Sequence, residues 1–202
     1  DEAEVAFERF ATSKLSGASN LDAIETLGFR GEALPSIASV SSVSLITRTA
    51  SEDTGTRLEV GDGKITRRPE GTDPGTSLVV RHLFRNLPGR RKFLRSAATE
   101  ASRIQTMATR YAFAYPRVKF EMSIDGKIVF ATSGAGELRE VFADLYNVDV
   151  AGAMLDIVID TDFPDEGLVV PSGLIGPPSL TRSNRNHTSI FVNGRWVQNR
   201  ML

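Results

Sequence analysis

The sequence has no cysteine among its 202 residues, which excludes a disulfide framework, a thiolate metal site and a cysteine nucleophile. It has only two histidines, His82 and His187, too few for a histidine-rich metal site. No apolar run approaches the roughly 18 residues that a membrane-spanning helix needs, and the acidic first four residues are unlike a signal peptide. What is present, 41% hydrophobic and 24% charged residues, is typical of a soluble globular protein with one large domain or two small ones. The missing cysteine fits a cytoplasmic location.

The chain also has little net charge, −1 at pH 7, because 24 Lys and Arg residues nearly balance 25 Asp and Glu residues. The distribution along the chain is nevertheless uneven. Residues 81–103 contain seven basic residues and one acid, residues 137–166 nine acids and one base, and residues 171–202 four arginines and no acid. Arginine-rich segments suit phosphate backbones, because guanidinium groups match phosphate oxygens and binding releases condensed counterions. The alternative is a solvated face, or pairing with the acidic segment.

Apolar periodicity and turn signals predict a mixed α/β chain. Spacing of three to four residues predicts helices within 1–14, from Glu32 to about Val40, over 99–114 and over 137–146. Apolar runs between turn signals predict strands over 43–49, 56–60, 64–68, 76–84, 117–124, 128–132, 155–160, 168–175 and 188–193. The strand 76–84 is predicted to be buried, with His82 a structural residue within it. Residues 61–64 and 125–127 are predicted as tight turns, and 132–136 as a linker with a domain boundary near residue 135.

A glycine-flanked loop, Gly28-Phe29-Arg30-Gly31, leads into the helix that begins with Glu32-Ala33-Leu34. Backbone N–H groups exposed at such a junction, with the positive end of the helix dipole, suit an anionic phosphate. Glycine permits close backbone approach and positive φ. The alternative is an ordinary helix start at which Glu32 interacts favourably with the dipole.

Two shorter motifs carry weaker signals. Ala11-Thr12-Ser13-Lys14 offers two hydroxyls and an ammonium that would suit a phosphate clamp on a lid, or would simply cap a helix. In Gly75-Thr76 the threonine would contact a base or phosphate, or would only begin a strand. The sequence has no Walker-type phosphate loop and no convincing Ser/His/Asp arrangement.

Taken in order, these fragments resemble the MutL family of DNA mismatch-repair ATPases. The resemblance also includes the segments N-L-P-G-R-R-K-F-L at 86–94 and F-V-N-G-R at 191–195, and it is collinear over essentially the whole chain. It implies a GHKL-type (Bergerat) ATPase domain, a two-layer α/β sandwich, over 1–135. Residues 136–202 would then be part of a ribosomal-protein-like α/β second domain that couples nucleotide state to dimerisation.

The resemblance also implies site residues, which we carry over position by position. The nucleotide lid matches Thr12, Ser13 and Lys14; the phosphate loop and helix start match Gly28, Arg30, Gly31, Glu32, Ala33 and Leu34; the Gly-Thr motif matches Thr76. The implied cofactors are ATP and Mg²⁺. The DNA-contact candidates are Arg90, Arg91, Lys92, Arg95, Arg195 and Arg200.

The family's catalytic glutamate, its Mg²⁺-binding asparagine and its adenine-binding Asp-Gly motif have no match in this sequence. They are expected upstream of residue 1, and a phosphate-contacting lysine is expected beyond Leu202. We therefore expect an interior fragment with no catalytic residue or metal ligand of its own.

The implied partners of the parent protein are DNA, a mismatch-recognition protein and a second subunit in a homodimer or heterodimer, with no membrane. Its implied location is the bacterial cytoplasm at the nucleoid, or the nucleus of a eukaryote. Two alternatives stay open: a non-enzymatic DNA-binding or dimerisation module, and another GHKL ATPase of topoisomerase or chaperone type. The segments at 86–94 and 191–195 disfavour the second alternative.

Overall fold

The structure is a computed structural model that describes residues 2–11, 27, 28, 30–157, 171–181, 183 and 187–198. The chain divides into two compact units, Asp1–Arg95 and Ser96–Leu202. None of the described helices has the length and apolar character needed to cross a bilayer.

The first unit is built on a four-stranded antiparallel sheet. Its strands are β1 (Ser42–Arg48), β2 (Gly55–Gly61), β3 (Lys64–Glu70) and β4 (Gly75–Arg81), in the order β3-β2-β1-β4. The predicted turn between β2 and β3 is confirmed. Asp62 and Gly63 both have positive φ, 52° and 72°, as expected for the turn type that matches strand twist in two-residue hairpins.

Two short helices cover one face of this sheet. They are α1 (Glu2–Val5) and α2 (Ala33–Ala38), and Pro35 lies in the first turn of α2, where its missing N–H costs nothing. The buried core consists of Phe7, Val43, Leu45, Leu58 and Val60, against which Ala3, Leu34, Ile37 and Ala38 pack. Alternate residues of β1 and β2 supply this core because side chains in a strand point to opposite faces.

The prediction that residues 76–84 form a buried strand is wrong in two respects. The strand ends at Arg81, and its apolar side chains Leu78, Val79 and Val80 are 41%, 36% and 41% exposed. The physical reason is position: among the described strands, β4 lies at the edge of the sheet and pairs with β1 alone. His82 follows the strand as an exposed turn residue with φ 55°, instead of alternating within it.

A third short helix, α3 (Pro88–Arg91), follows β4. The second unit then begins with α4 (Ala97–Ala114), whose first turn is capped by Ser96 Oγ accepting a hydrogen bond from the Thr99 N–H. The helix ends just before Pro116, as predicted. The predicted hairpin follows as β5 (Glu121–Ile124) and β6 (Lys127–Ala131), with Asp125 and Gly126 at φ 50° and 75° in the turn.

The rest of the second unit consists of short elements. In order they are α5 (Leu138–Leu145), α6 (Val148–Ala153), the antiparallel pair β7 (Leu155–Ile157) and β8 (Gly173–Ile175), a 3₁₀ turn (Pro178–Leu180), and the hairpin β9 (Ile190–Val192) and β10 (Arg195–Val197). The sequence predicted neither α3, α6 nor β10. Parts of the predicted strands 155–160 and 168–175 lie outside the described residues.

The segment predicted as a linker, 132–136, is packed within the second unit. Thr132 is 3% exposed, its N–H donates to the Phe120 carbonyl at 2.8 Å, and its Oγ1 accepts from the Phe120 N–H at 3.0 Å. Gly134 has φ 74°, and a Cβ there would lie 2.8 Å from the Lys119 nitrogen. Gly134 therefore allows tight backbone packing and is not part of a flexible linker. The predicted domains 1–135 and 136–202 stay a prediction.

Candidate functional site

The predicted phosphate loop is described except for Phe29, whereas the predicted lid residues Thr12, Ser13 and Lys14 lie outside the described residues. Gly28 and Arg30 are exposed and Gly31 is half-buried at the start of the turn into α2. The last described residue before the lid is Ala11. It contacts this loop, so the structure brings the start of one predicted nucleotide motif against the other.

That contact depends on Gly31. Its carbonyl accepts a hydrogen bond from the Phe10 N–H at 3.1 Å, and its φ of 61° lies in the left-handed region. A Cβ at this position would lie 2.7 Å from the Ala11 carbonyl carbon and 2.8 Å from the Ala11 nitrogen, with the Ala11 carbonyl oxygen closer still. Only glycine accommodates both the dihedral angle and this backbone-to-backbone approach.

The helix start that follows is exposed on one side and packed on the other. Glu32 is the N-cap residue and makes no side-chain cap hydrogen bond, while its carbonyl accepts from the Ser36 N–H at 3.0 Å. Glu32 and Ala33 are exposed, whereas the Leu34 side chain packs against the sheet core. Leu34 therefore anchors the helix to the sheet.

Thr76 lies near the start of β4 and is exposed. It stands opposite Thr47 of β1 in the register, with the two hydroxyl oxygens 2.9 Å apart. Because Leu45 pairs with Leu78 two positions further along, the alternation of side chains puts both threonines on the face that carries the core. Thr76 and α2 thus belong to the same face of the sheet.

The loop before Thr76 is held by Arg48. The Arg48 Nε–H donates to the Thr72 carbonyl at 2.7 Å and its Nη1–H to the Glu52 carbonyl at 2.6 Å. At the same end of β1, hydrogen bonds from the Thr49 N–H and Oγ1–H lower the pKa of the Glu52 carboxyl. Glu52 is thus an ionised acceptor that shapes the turn rather than a proton donor.

Four of the six basic residues predicted to contact DNA lie on the exposed surface of the first unit. Arg90 and Arg91 belong to α3, with Lys92 as its C-cap, and Arg95 follows; all four side chains are exposed. Within the described residues, Arg90, Arg91 and Lys92 form no ion pair. Phe93 among them is 85% exposed, an aromatic side chain that the sequence reasoning did not single out.

Arg195 belongs to the second unit, on the hairpin β9–β10, and is half-buried. The hairpin turn is Asn193-Gly194, with φ 50° and 71°. The hairpin packs against α4. The guanidinium carbon of Arg110 on α4 lies 3.6 Å from the ring centroid of Trp196 on β10, a stabilising cation–π distance. Arg200 lies outside the described residues.

The predicted site residues offer hydrogen-bond donors for phosphate oxygens, namely backbone N–H groups, threonine hydroxyls and guanidinium groups. Within the described ranges, no three His, Asp or Glu side chains are grouped closely enough to hold a metal ion. The described residues therefore fit a nucleotide phosphate, but they supply no set of oxygen ligands for Mg²⁺.

Comparison with known proteins agrees with this resemblance over the whole chain. The chain is 44% identical over 202 residues to the DNA mismatch repair protein MutL of Desulforudis audaxviator, covering 100% of this chain and 35% of that protein. It is similar to the Aquifex aeolicus MutL ATPase domain complexed with ADP, with a TM-score of 0.57 and 30% identity over 69% of this chain and 54% of that one. The N-terminal domain of a DNA repair protein gives a TM-score of 0.71 at 25% identity, covering 98% and 62% of the two chains. No protein-family model matches the chain.

The mixed α/β fold with its antiparallel sheet is thus of the class found in MutL ATPase domains. The chain spans about a third of the length of the curated relatives it matches. Over its whole length the chain matches DNA mismatch repair proteins named MutL, and the resemblance read from its motifs is confirmed.

Proposed function

We propose that this chain is part of a MutL-type protein in which ATP binding and hydrolysis drive conformational switching, dimerisation and association with DNA. The observation that carries the proposal is the placement of the matched nucleotide residues. Thr76 on β4 and the loop that enters α2 belong to one face of one sheet, and Gly31 holds the start of the lid segment against that loop.

In the proposed site, Gly28, Gly31 and the first turn of α2 offer backbone N–H groups to the phosphates, and Arg30 adds a guanidinium. Thr12, Ser13 and Lys14 form the lid. Bound Mg²⁺ would neutralise phosphate charge. We assign no catalytic residue to this chain, and expect it to show negligible steady-state ATP hydrolysis by itself.

We propose the finer domain assignment on the same grounds. Residues 1–135 would be a GHKL-type ATPase domain of two-layer sandwich architecture, and residues 136–202 part of a ribosomal-protein-like domain that transmits nucleotide state. The match of the whole chain to MutL sequences supports this assignment. An independent test is an experimental structure of the longer protein, in which residues 1–135 and 136–202 should pack around separate cores.

DNA is the proposed macromolecular ligand of both basic segments, supported by the solvent exposure of Arg90, Arg91, Lys92 and Arg95. Arg195 and Arg200 complete the proposed contact set. A mismatch-recognition protein and a second MutL-type subunit are the proposed protein partners. The proposed location follows from the ligand: the nucleoid in the bacterial cytoplasm, or the nucleus in a eukaryote.

The experiment that tests the proposal is titration with ATP of the 202-residue chain and of the longer MutL protein that contains it. Arg30→Ala should weaken ATP binding about tenfold or more, because a hydrogen bond between charged groups is lost. Lys127→Ala, at the exposed first residue of β6, is the matched control and should bind as the unsubstituted protein does. If neither protein binds ATP, the proposal fails.

A second candidate is a non-enzymatic DNA-binding module, favoured by the exposed basic residues around α3. The two candidates predict different behaviour on adding nucleotide. For a nucleotide-switched protein, the affinity of the longer protein for DNA depends on ATP. For a simple binding module, DNA affinity is the same with and without ATP.

A further inference from the structure

Phe93 is the most exposed large hydrophobic side chain in the described part of the chain, at 85%, and it follows three consecutive exposed cations. Those cations, Arg90, Arg91 and Lys92, form no ion pair with a described residue. A single exposed hydrophobic residue is common on protein surfaces. The segment 90–93 differs from that ordinary case because it combines a flat apolar ring with excess positive charge.

Backbone hydrogen bonds hold Phe93 in a wound turn rather than in an extended loop. The Lys92 N–H donates to the Pro88 carbonyl at 3.2 Å, and the Phe93 N–H donates to the Arg90 carbonyl at 3.0 Å. In a helical turn a side chain leans toward the residues three and four positions earlier, which here are Arg90 and Gly89. A Cβ added at Gly89 would meet no heavy atom within 4 Å. The ring thus has a cationic residue at one neighbouring position and open space at the other.

The turn that carries Phe93 is anchored to the rest of the first unit. The Phe84 N–H donates to the Val40 carbonyl at 2.7 Å, and the Asn86 Nδ2–H donates to the Ser39 carbonyl at 2.8 Å. The backbone that leads into α3 is therefore fixed on the connection between α2 and β1. A ring held in position before binding lowers the entropy that a ligand must overcome.

The ligand that fits this segment has flat apolar faces and a negatively charged backbone. The bases of single-stranded DNA have faces available for stacking on an aromatic ring, and their phosphates attract arginine and lysine. In a duplex each base is stacked between its neighbours and presents only its edges in the grooves. An exposed ring beside cations therefore suits an unpaired base better than a base pair.

We propose that Phe93 stacks on an unpaired base of single-stranded DNA while Arg90, Arg91 and Lys92 hold the neighbouring phosphates. The inference rests on the proposed DNA-binding role of this basic segment, and it adds a base contact and a preference for unpaired strands. The stacking contact tolerates any sequence, because every base has a flat face.

The test measures the affinity of the longer MutL protein for three probes of equal length: single-stranded oligothymidylate, a DNA duplex, and a strand of abasic sugar-phosphate units. Phe93→Ala removes the ring, and Phe93→Tyr retains it. The matched control is Ile128→Ala, which truncates an apolar side chain on β6 that is 63% exposed and lies outside the proposed contact set. Thermal unfolding of each variant shows whether the ring is buried in the longer protein.

We expect Phe93→Ala to weaken binding of oligothymidylate about five- to hundredfold, the effect of losing one stacked base. Its affinities for the duplex and for the abasic strand should match those of the unsubstituted protein. Phe93→Tyr and Ile128→Ala should bind all three probes as the unsubstituted protein does. The salt dependence of binding should not change in Phe93→Ala, because no charge is removed.

Unchanged affinity of Phe93→Ala for oligothymidylate would overturn the inference, and so would equal losses on oligothymidylate and on either other probe. A large fall in the melting temperature of Phe93→Ala would also overturn it, because the ring would then be packed against another part of the protein. Arg91→Glu tests the underlying DNA proposal separately. If Arg91→Glu loses affinity for every probe while Phe93→Ala loses none, the basic segment binds DNA and only the stacking inference fails.

Discussion

Gly31 illustrates how much of the candidate site depends on single residues. The sequence motif predicts a glycine that allows close approach of backbone to a ligand. The structure shows a close approach to a different neighbour, the backbone of Ala11. Both requirements select the same residue type, so the motif identified the position while the physical constraint on it came only from the fold.

Substitution of Gly31 should therefore destabilise the first unit before any ligand is added. We expect Gly31→Ala to lower the free energy of unfolding by about 2–4 kcal/mol, since a positive φ and a steric overlap act together. The control is Gly71→Ala, which has no heavy atom within 4 Å of the added Cβ and should have a small effect. Urea denaturation measures the unfolding free energies of both variants. Equal values would show that the Ala11 backbone moves away from the added Cβ without a loss of stability.

Thr47 marks the opposite case at the residue scale. A threonine within a strand is ordinary, and its only signal is the register that pairs it with Thr76. Register depends on turn geometry and on which strand is the neighbour, so no local pattern at 43–49 could have identified it. Phe93 was missed for a related reason, because exposure is a property of the folded unit and not of the segment.

At the scale of elements, the hairpins were the most predictable parts. Asp62-Gly63 and Asp125-Gly126 each adopt the positive φ that their residue types favour. The burial of β4 was predicted wrongly because a continuous apolar run is the same in an edge strand and in a central one. Short elements such as α3 and α6 have too few residues to show a period.

The packing of the β9–β10 hairpin against the end of α4 can be tested at Gly194 and Tyr115. Gly194→Ala places a Cβ 2.7 Å from Tyr115 Oη, whereas Gly126→Ala, at a similar φ of 75°, meets no atom within 4 Å. The two substitutions share the dihedral cost, so we expect Gly194→Ala to be the more destabilising by about 1–3 kcal/mol. Adding Tyr115→Phe to Gly194→Ala should recover part of the loss. Equal unfolding free energies for the two alanine variants would contradict the contact.

The strands β2 and β3 are joined by an ion pair whose strength should depend on pH. Arg57 Nε and Nη2 donate to the two Glu70 carboxyl oxygens at 3.0 and 2.9 Å. The hydrogen bonds from Arg57, with the nearby positive charges, lower the pKa of Glu70. A lowered carboxyl pKa stabilises the fold above the unfolded pKa of about 4.3, and this stabilisation is lost as the pH falls through the folded-state value.

We therefore expect Glu70→Gln to reduce stability at pH 7 and the difference from the unsubstituted protein to shrink as the pH is lowered below about 4. Chemical denaturation at stepped pH values measures this. In an Arg57→Gln background the same substitution should show little pH-dependent effect. A difference that stays constant from pH 7 to strong acid would exclude the ion pair as its cause.

At the scale of the whole molecule, the sequence predicted two domains with a boundary near residue 135, which stays a prediction. The structure separates its units after Arg95, whereas glycine content suggested a linker at 132–136. Gly134 and Gly136 instead allow this segment to pack, with the Gly136 N–H donating to the Pro116 carbonyl at 3.1 Å. Composition cannot distinguish a glycine needed for freedom from one needed for close contact.

The two basic segments lead to a prediction about DNA binding by the whole molecule. Arg91→Glu in the first unit and Arg195→Glu in the second should each weaken DNA binding and lower the slope of log affinity against log salt by about 1, if each arginine contacts one phosphate. Lys127→Glu has the same change of charge at an exposed site outside the proposed contact set and serves as the control. An unchanged affinity and slope for either arginine variant would remove that residue from the contact surface.

Arg48 connects two stretches of chain that are remote in sequence. Its guanidinium bonds the Glu52 carbonyl in the β1–β2 connection and the Thr72 carbonyl in the β3–β4 connection. A change of length in either connection would move the carbonyl that Arg48 reaches and would disturb the other. Across related natural sequences, insertions and deletions in these two loops should therefore occur together, and chains that lengthen only one should have lost the arginine.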